Sequence, residues 1–176
     1  MKNKMMIAML AIGSTLATTH AFAAAGTVNF NGNILDSACD VDVASQNQVV
    51  VLGDYYKTEF PTTGARTAAT QFNIVLKNCP VTVTNAKVRF DGTPDATNAS
   101  LLAIDSSAAG AAIGVAINLM TADKADLPLH GSNSYSYALS STADNTLSFY
   151  AQYISTAATV TAGPANSVAN FSVVYN

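Results

Sequence analysis

The stretch GPANSVANFSVVYN, residues 163–176, sets Gly163, Ala165, Ser167, Ala169, Phe171, Val173 and Tyr175 at every second position. Side chains alternate between the two faces of a β-strand, so this row reads as a strand with one face turned to a core. The alternation carries through to the penultimate residue, where a chain terminus ordinarily frays. Order at this end is therefore expected to serve a purpose.

The same period recurs upstream. Val28, Phe30, Gly32 and Ile34 share one face, as do Phe72, Ile74 and Leu76. Val88 with Phe90, then Val115, Ile117 and Leu119, then Leu147, Phe149, Ala151 and Tyr153 continue the pattern. Turn-forming groups separate the rows, among them Gly53-Asp54, Asp91-Gly92-Thr93-Pro94 and Gly163-Pro164. Only residues 106–113 resemble a helix in composition. Gly110 within them and Gly114 just after weaken that reading, so a loop is expected. Many short strands with regular turns predict an all-β sandwich, with no internal repeat, linker or second domain.

The start of the chain indicates export. Lys2 and Lys4 precede the apolar run MMIAMLAI, residues 5–12, and Ala21-Phe22-Ala23 has the small-x-small form of a signal-peptidase site. The run is too short for a spanning helix, which needs about 20 apolar residues. Removing residues 1–23 from the 176 leaves 153, enough for one domain with a full core. Six basic residues then face eleven acidic ones, a net charge of −5. The basic residues never cluster, which argues against nucleic acid as a partner.

Two cysteines remain, Cys39 and Cys79. In an oxidising compartment a bond between them is the expected state. Free thiols or a metal pair are the alternatives, although neither cysteine has Cys or His nearby at ligand spacing. The inventory for catalysis is sparse. His130, beside Gly131 in a turn, is the only histidine after residue 23, and Glu59 the only glutamate. There is no G-x-S-x-G context, so no enzymatic activity, cofactor or metal site is expected.

Taken together, the two ends resemble a known family, the chaperone–usher pilins of type 1 and P pili. The resemblance rests on an extension of about 15 residues before Cys39, on Cys79 near the end of a strand, and on the C-terminal pattern. In that pattern Gly163 stands fourteenth from the end, apolar residues alternate, and Tyr175 is penultimate. It implies an incomplete immunoglobulin-like sandwich of six strands plus an N-terminal donor strand, with one disulfide. The divisions are a signal peptide at 1–23, a donor extension at 24–38 and the pilin domain at 39–176.

The resemblance further implies that Val28, Phe30, Gly32 and Ile34 form the donor face. Gly163, Phe171, Val173 and Tyr175 would belong to the acceptor groove, where the chaperone also binds. The implied partners are a periplasmic pilus chaperone, an outer-membrane usher and other pilin subunits, with host-surface glycans met through the fibre. The expected role is a structural subunit of a surface fimbrium, polymerising head to tail and supporting adhesion. The alternative is a minor adaptor or tip subunit that binds carbohydrate or a host receptor directly. A two-domain tip adhesin does not fit 153 residues, and a chain terminator would lack the donor row.

Overall fold

The computed structural model describes residues 26–32, 34 and 38–175. The signal segment read at 1–23 lies outside the described residues. The chain falls into two units, Met1–Ile34 and Leu35–Asn176.

In the second unit, antiparallel strands form two sheets. One has the order β1 (Asp40–Val41), β2 (Thr70–Lys77), β7 (Asn145–Ser155), β5 (Val115–Met120) and β4 (Leu102–Ala103). The other has the order β6 (Tyr137–Ala138), β3 (Asn85–Gly92) and β8 (Ala169–Tyr175). The alternating rows predict where the core forms. Phe72 lies opposite Phe149 and Ile74 opposite Leu147 in one sheet, while Val88 lies opposite Val173 and Phe90 opposite Phe171 in the other. Ile74, Val88 and Phe149 are fully buried, and Phe72, Phe90 and Phe149 pack ring against ring at 5.2–5.9 Å. Such aromatic contacts add to what area burial alone supplies.

The expected sandwich is present, and two of its details stand out. Strand β5 was expected to bury one face, yet all six of its residues are buried. On its outer face Ala116 packs with Leu101 and with Ile154, its cross-strand neighbour on β7. The strand following Cys39 is also broken. After β1 the chain makes a four-residue helix, Val43–Gln46, capped by the Asp42 carboxylate on the Ala44 N–H at 2.9 Å. It then runs through residues 48–55 without joining a ladder. Residues 106–113 form a loop, as expected.

Cys39 and Cys79 are bonded, and both are buried. The bridge closes a separation of 40 residues, which in the loop-entropy model stabilises the fold by about 4 kcal/mol. Cys79→Ser should therefore lower the unfolding free energy by roughly that amount in a denaturant titration. Non-reducing peptide mapping should recover one linked pair, and two alkylatable thiols in the exported protein would contradict the bond.

Candidate functional site

A long groove of about 880 Å³ opens beside β8. The folded unit leaves it where a further strand would complete the smaller sheet. One wall is residues 48–55 and the other runs from Val160 to Phe171, while Phe90, Ile117 and Leu119 contribute to the floor. Pockets that bind ligands commonly combine apolar surface with placed polar groups, and here an apolar floor is flanked by polar residues such as Gln48, Asp54, Asn166 and Asn170.

The wall at 48–55 and the β8 end of the other wall each present a backbone edge that no strand covers among the described residues. Strand β8 pairs with β3 on one side and is the last strand of its sheet. Across from it, no backbone group of residues 48–55 takes part in a backbone-to-backbone hydrogen bond among the described residues. Exposure alternates from Val49 to Leu52 nonetheless. Val49 and Val51 point outward, 88% and 76% exposed, while Val50 and Leu52 are half-buried and Leu52 packs on the main core. Buried backbone groups in native proteins are almost always paired, so two facing edges of this kind invite a third strand between them.

The core-facing row of β8 shows the same deficit. Ala169, Phe171, Val173 and Tyr175 pack against the main cluster but remain only half-buried. Of the acceptor residues read from the sequence, Gly163 and Phe171 line the groove directly. Val173 and Tyr175 continue the row beyond its mouth. The Tyr175 hydroxyl donates to the Cys39 carbonyl at 3.3 Å, and burial raises its pKa. The end of β8 is thereby tied to the disulfide.

Gly163 has a steric reason to be glycine. A Cβ there would lie 2.0 Å from the Gly110 carbonyl oxygen and 2.6 Å from the Ala112 nitrogen. The close approach lets the Ala112 N–H donate to the Pro164 carbonyl at 2.9 Å. This junction stands beside a second apolar cluster of Phe60, Ala112, Val115 and Val160. Burial also raises the pKa of Tyr153, whose hydroxyl donates to the Ala165 carbonyl at 2.9 Å and braces the same wall.

The donor residues lie in the first unit. Val28, Phe30 and Ile34 are 77%, 92% and 100% exposed, and among the described residues nothing stands within 4 Å of where a Cβ on Gly32 would lie. Residues 26–32 belong to no strand. His130 is exposed and engaged at both ring nitrogens. Its Nδ1 lies 2.8 Å from the Asp91 carboxylate and its Nε2 2.9 Å from the Gly92 carbonyl. That bond, with Arg89 at 2.9 Å, holds the Asp91 carboxyl below the usual carboxylate range. The histidine is a clasp on the end of β3. Sequence reasoning missed the wall at 48–55, for which the unbroken apolar run Val49-Val50-Val51-Leu52 was the available signal.

Comparisons with known proteins agree with this architecture. The family model described as fimbrial protein matches residues 28–176. The A chain of the type-1 fimbrial protein of Escherichia coli K12 is 37% identical over 182 residues, covering 99% of this chain and 100% of its own. The crystal structure of an antigen and type I fimbria protein from Burkholderia pseudomallei superposes with a TM-score of 0.60 at 38% identity, covering 80% of this chain and 91% of that one. A subunit from the structure of a chaperone–usher pilus, concerned with rod uncoiling, gives a TM-score of 0.65 at 25% identity, with 93% and 100% covered. The family consists of structural subunits that assemble with one another into surface fimbriae. By sequence and by fold, this chain belongs to the fimbrial protein family as a structural pilin subunit and not an enzyme.

Proposed function

We propose that the subunit polymerises by strand donation, with the groove of one copy taking the N-terminal extension of the next. The reading rests on the two uncovered backbone edges that flank the groove and on the half-buried apolar row of β8. An extended segment laid between them would pair both edges at once, a mode of recognition called β-augmentation. Its side chains would alternate, so Val28, Phe30, Gly32 and Ile34 would all turn inward. Burying the three large ones contributes about 1.5–3 kcal/mol each before ordering costs. A head-to-tail joint of this kind does not close on itself and yields a filament.

An open groove is also an aggregation hazard until it is filled. A periplasmic chaperone lending a strand, then exchanged for the next subunit at an outer-membrane usher, would remove it. The likeness to a subunit of a chaperone–usher pilus supports that route. On this reading residues 1–23 are a signal peptide, 24–38 the donor extension and 39–176 the domain that accepts it.

The test is a peptide covering residues 26–36, added to the mature subunit. Saturation at about 100 times Kd should stabilise the fold by about 2.7 kcal/mol, and so raise the melting temperature by roughly 5–10 °C. The same peptide with Phe30→Asp should have no effect. A subunit that is already monomeric and cooperative, with a melting temperature unmoved by peptide, would be a complete domain and would end this reading.

A further inference from the structure

The extension carries the only Asn-Gly step in the sequence, Asn31-Gly32. Both residues are exposed and belong to no strand. Among the described residues the Gly32 N–H has no backbone partner, and nothing lies within 4 Å of where its Cβ would stand. We infer that Asn31 is a self-modification site, its side-chain amide converting through a cyclic imide to aspartate and isoaspartate while the extension is free. On the strand-donation reading, seating the strand in a neighbour's groove stops the reaction.

The chemistry needs only water. The Gly32 backbone nitrogen gives up its proton and attacks the Asn31 side-chain carbonyl carbon. A C–N bond closes the imide ring, and the side-chain nitrogen leaves with that proton as ammonia. Glycine has no side chain to shield the attacking nitrogen. Water then opens the ring at one of its two carbonyls. Release at the side-chain carbonyl gives aspartate, and release at the backbone carbonyl gives isoaspartate, whose main chain runs through Cβ and Cγ.

Other steps of similar chemistry are locked by the fold. Asp91-Gly92 lies in β3, where Asp91 pairs with Asn170 and Gly92 with Ala169. Its carboxylate is held by Arg89 at 2.9 Å and His130 at 2.8 Å. Asn133, followed by Ser134, is 4% exposed. It donates to the Val88 carbonyl at 3.1 Å and accepts from the Tyr135 N–H at 2.8 Å. Ring closure at either place requires local opening first.

The two products affect a donor strand differently. Asn31 alternates with Phe30 and Gly32, so an aspartate there places its charge on the face turned away from the groove. Isoaspartate instead lengthens the main chain between Phe30 and Gly32. The period of two is lost, and Gly32 and Ile34 no longer share a face with Val28 and Phe30. A subunit left unassembled therefore loses its capacity to donate. A seated strand, with its Gly32 N–H paired to an edge, keeps it.

The test uses the mature subunit with its groove filled by an isotope-labelled peptide covering residues 26–36, unbound peptide having been removed. One sample then holds a free and a seated copy of the same step. Peptide mapping by mass spectrometry, with electron-transfer fragmentation to separate the two acids, follows both in mildly alkaline buffer. The subunit's own Asn31 should convert, mainly to isoaspartate, while the seated copy reacts about tenfold more slowly, a barrier rise of about 1.4 kcal/mol. Gly32→Ala in the subunit should slow its conversion by a similar factor, and Asn133 should stay intact. Unchanged Asn31 in the free extension overturns the modification site, and equal conversion of both copies overturns the protection. A melting temperature unmoved by the peptide strikes strand donation instead, and conversion of the subunit's own Asn31 then decides the site by itself.

Discussion

If subunits join by strand donation, fibres should disappear from cells whose subunit carries Phe30→Asp, while the level of unassembled subunit stays normal. Phe30 is 92% exposed and lies outside the folded unit's core, so the substitution removes nothing from that core. In a neighbour's groove the change costs twice over. It forfeits about 1.5–3 kcal/mol of apolar burial, and it carries a carboxylate into a slot floored by Phe90, Ile117 and Leu119. Even 3 kcal/mol weakens the joint more than a hundredfold, and a filament needs every joint. Gly32→Leu should act in the same direction through bulk, where overpacking typically costs about 1–3 kcal/mol. Paired blots of periplasmic complexes and surface fibres read both outcomes. If Phe30→Asp also empties the periplasm, the extension belongs to the subunit's own core and the donor and acceptor ends have been exchanged.

Gly163→Ala should behave differently, lowering the periplasmic subunit and the fibres together. The added methyl meets the Gly110 carbonyl oxygen at 2.0 Å and the Ala112 nitrogen at 2.6 Å. Both are backbone atoms, so no rotamer change relieves the clash. The 110–112 loop must move away, which breaks the Ala112 N–H bond to Pro164 and disturbs the apolar cluster at that end of the groove. A loss of roughly 3 kcal/mol is expected, the upper end for overpacking. Denaturant unfolding of the peptide-filled subunit measures it. Gly26→Ala, where nothing lies within 4 Å, is the matched control and should leave stability unchanged. Equal stability of the two variants would mean that the loop yields freely.

The rows at Phe72 to Leu76, Val88 to Phe90, Leu147 to Tyr153 and Phe171 to Tyr175 were legible because alternation is a property of residue type. The same holds for the cysteine pair. Gly163 could be singled out by its position in a family pattern, but its reason, a backbone contact with a loop some fifty residues away in sequence, could not. The open wall at 48–55 was hidden for a deeper cause. Whether a backbone edge is paired depends on what lies beside it, and a run such as Val49 to Leu52 looks the same in either state. The doubly buried β5 was missed on the same account, since Leu101, just before β4, and Ile154 of β7 meet Ala116 only in the fold. The partners of His130 could not be read from the sequence, because Asp91 and Gly92 are brought to it only by the fold.

The facing edges at 48–55 and β8 also have a mechanical consequence. A strand seated between them, and pulled along its length, loads its hydrogen bonds on both sides in shear. They must then rupture together and not one after another, as in a zipper peeled from its end. Tension along the fibre acts in that direction. A chain of such joints could hold under drag with no covalent link between subunits, while each subunit's own disulfide keeps its domain from unravelling around the seated strand.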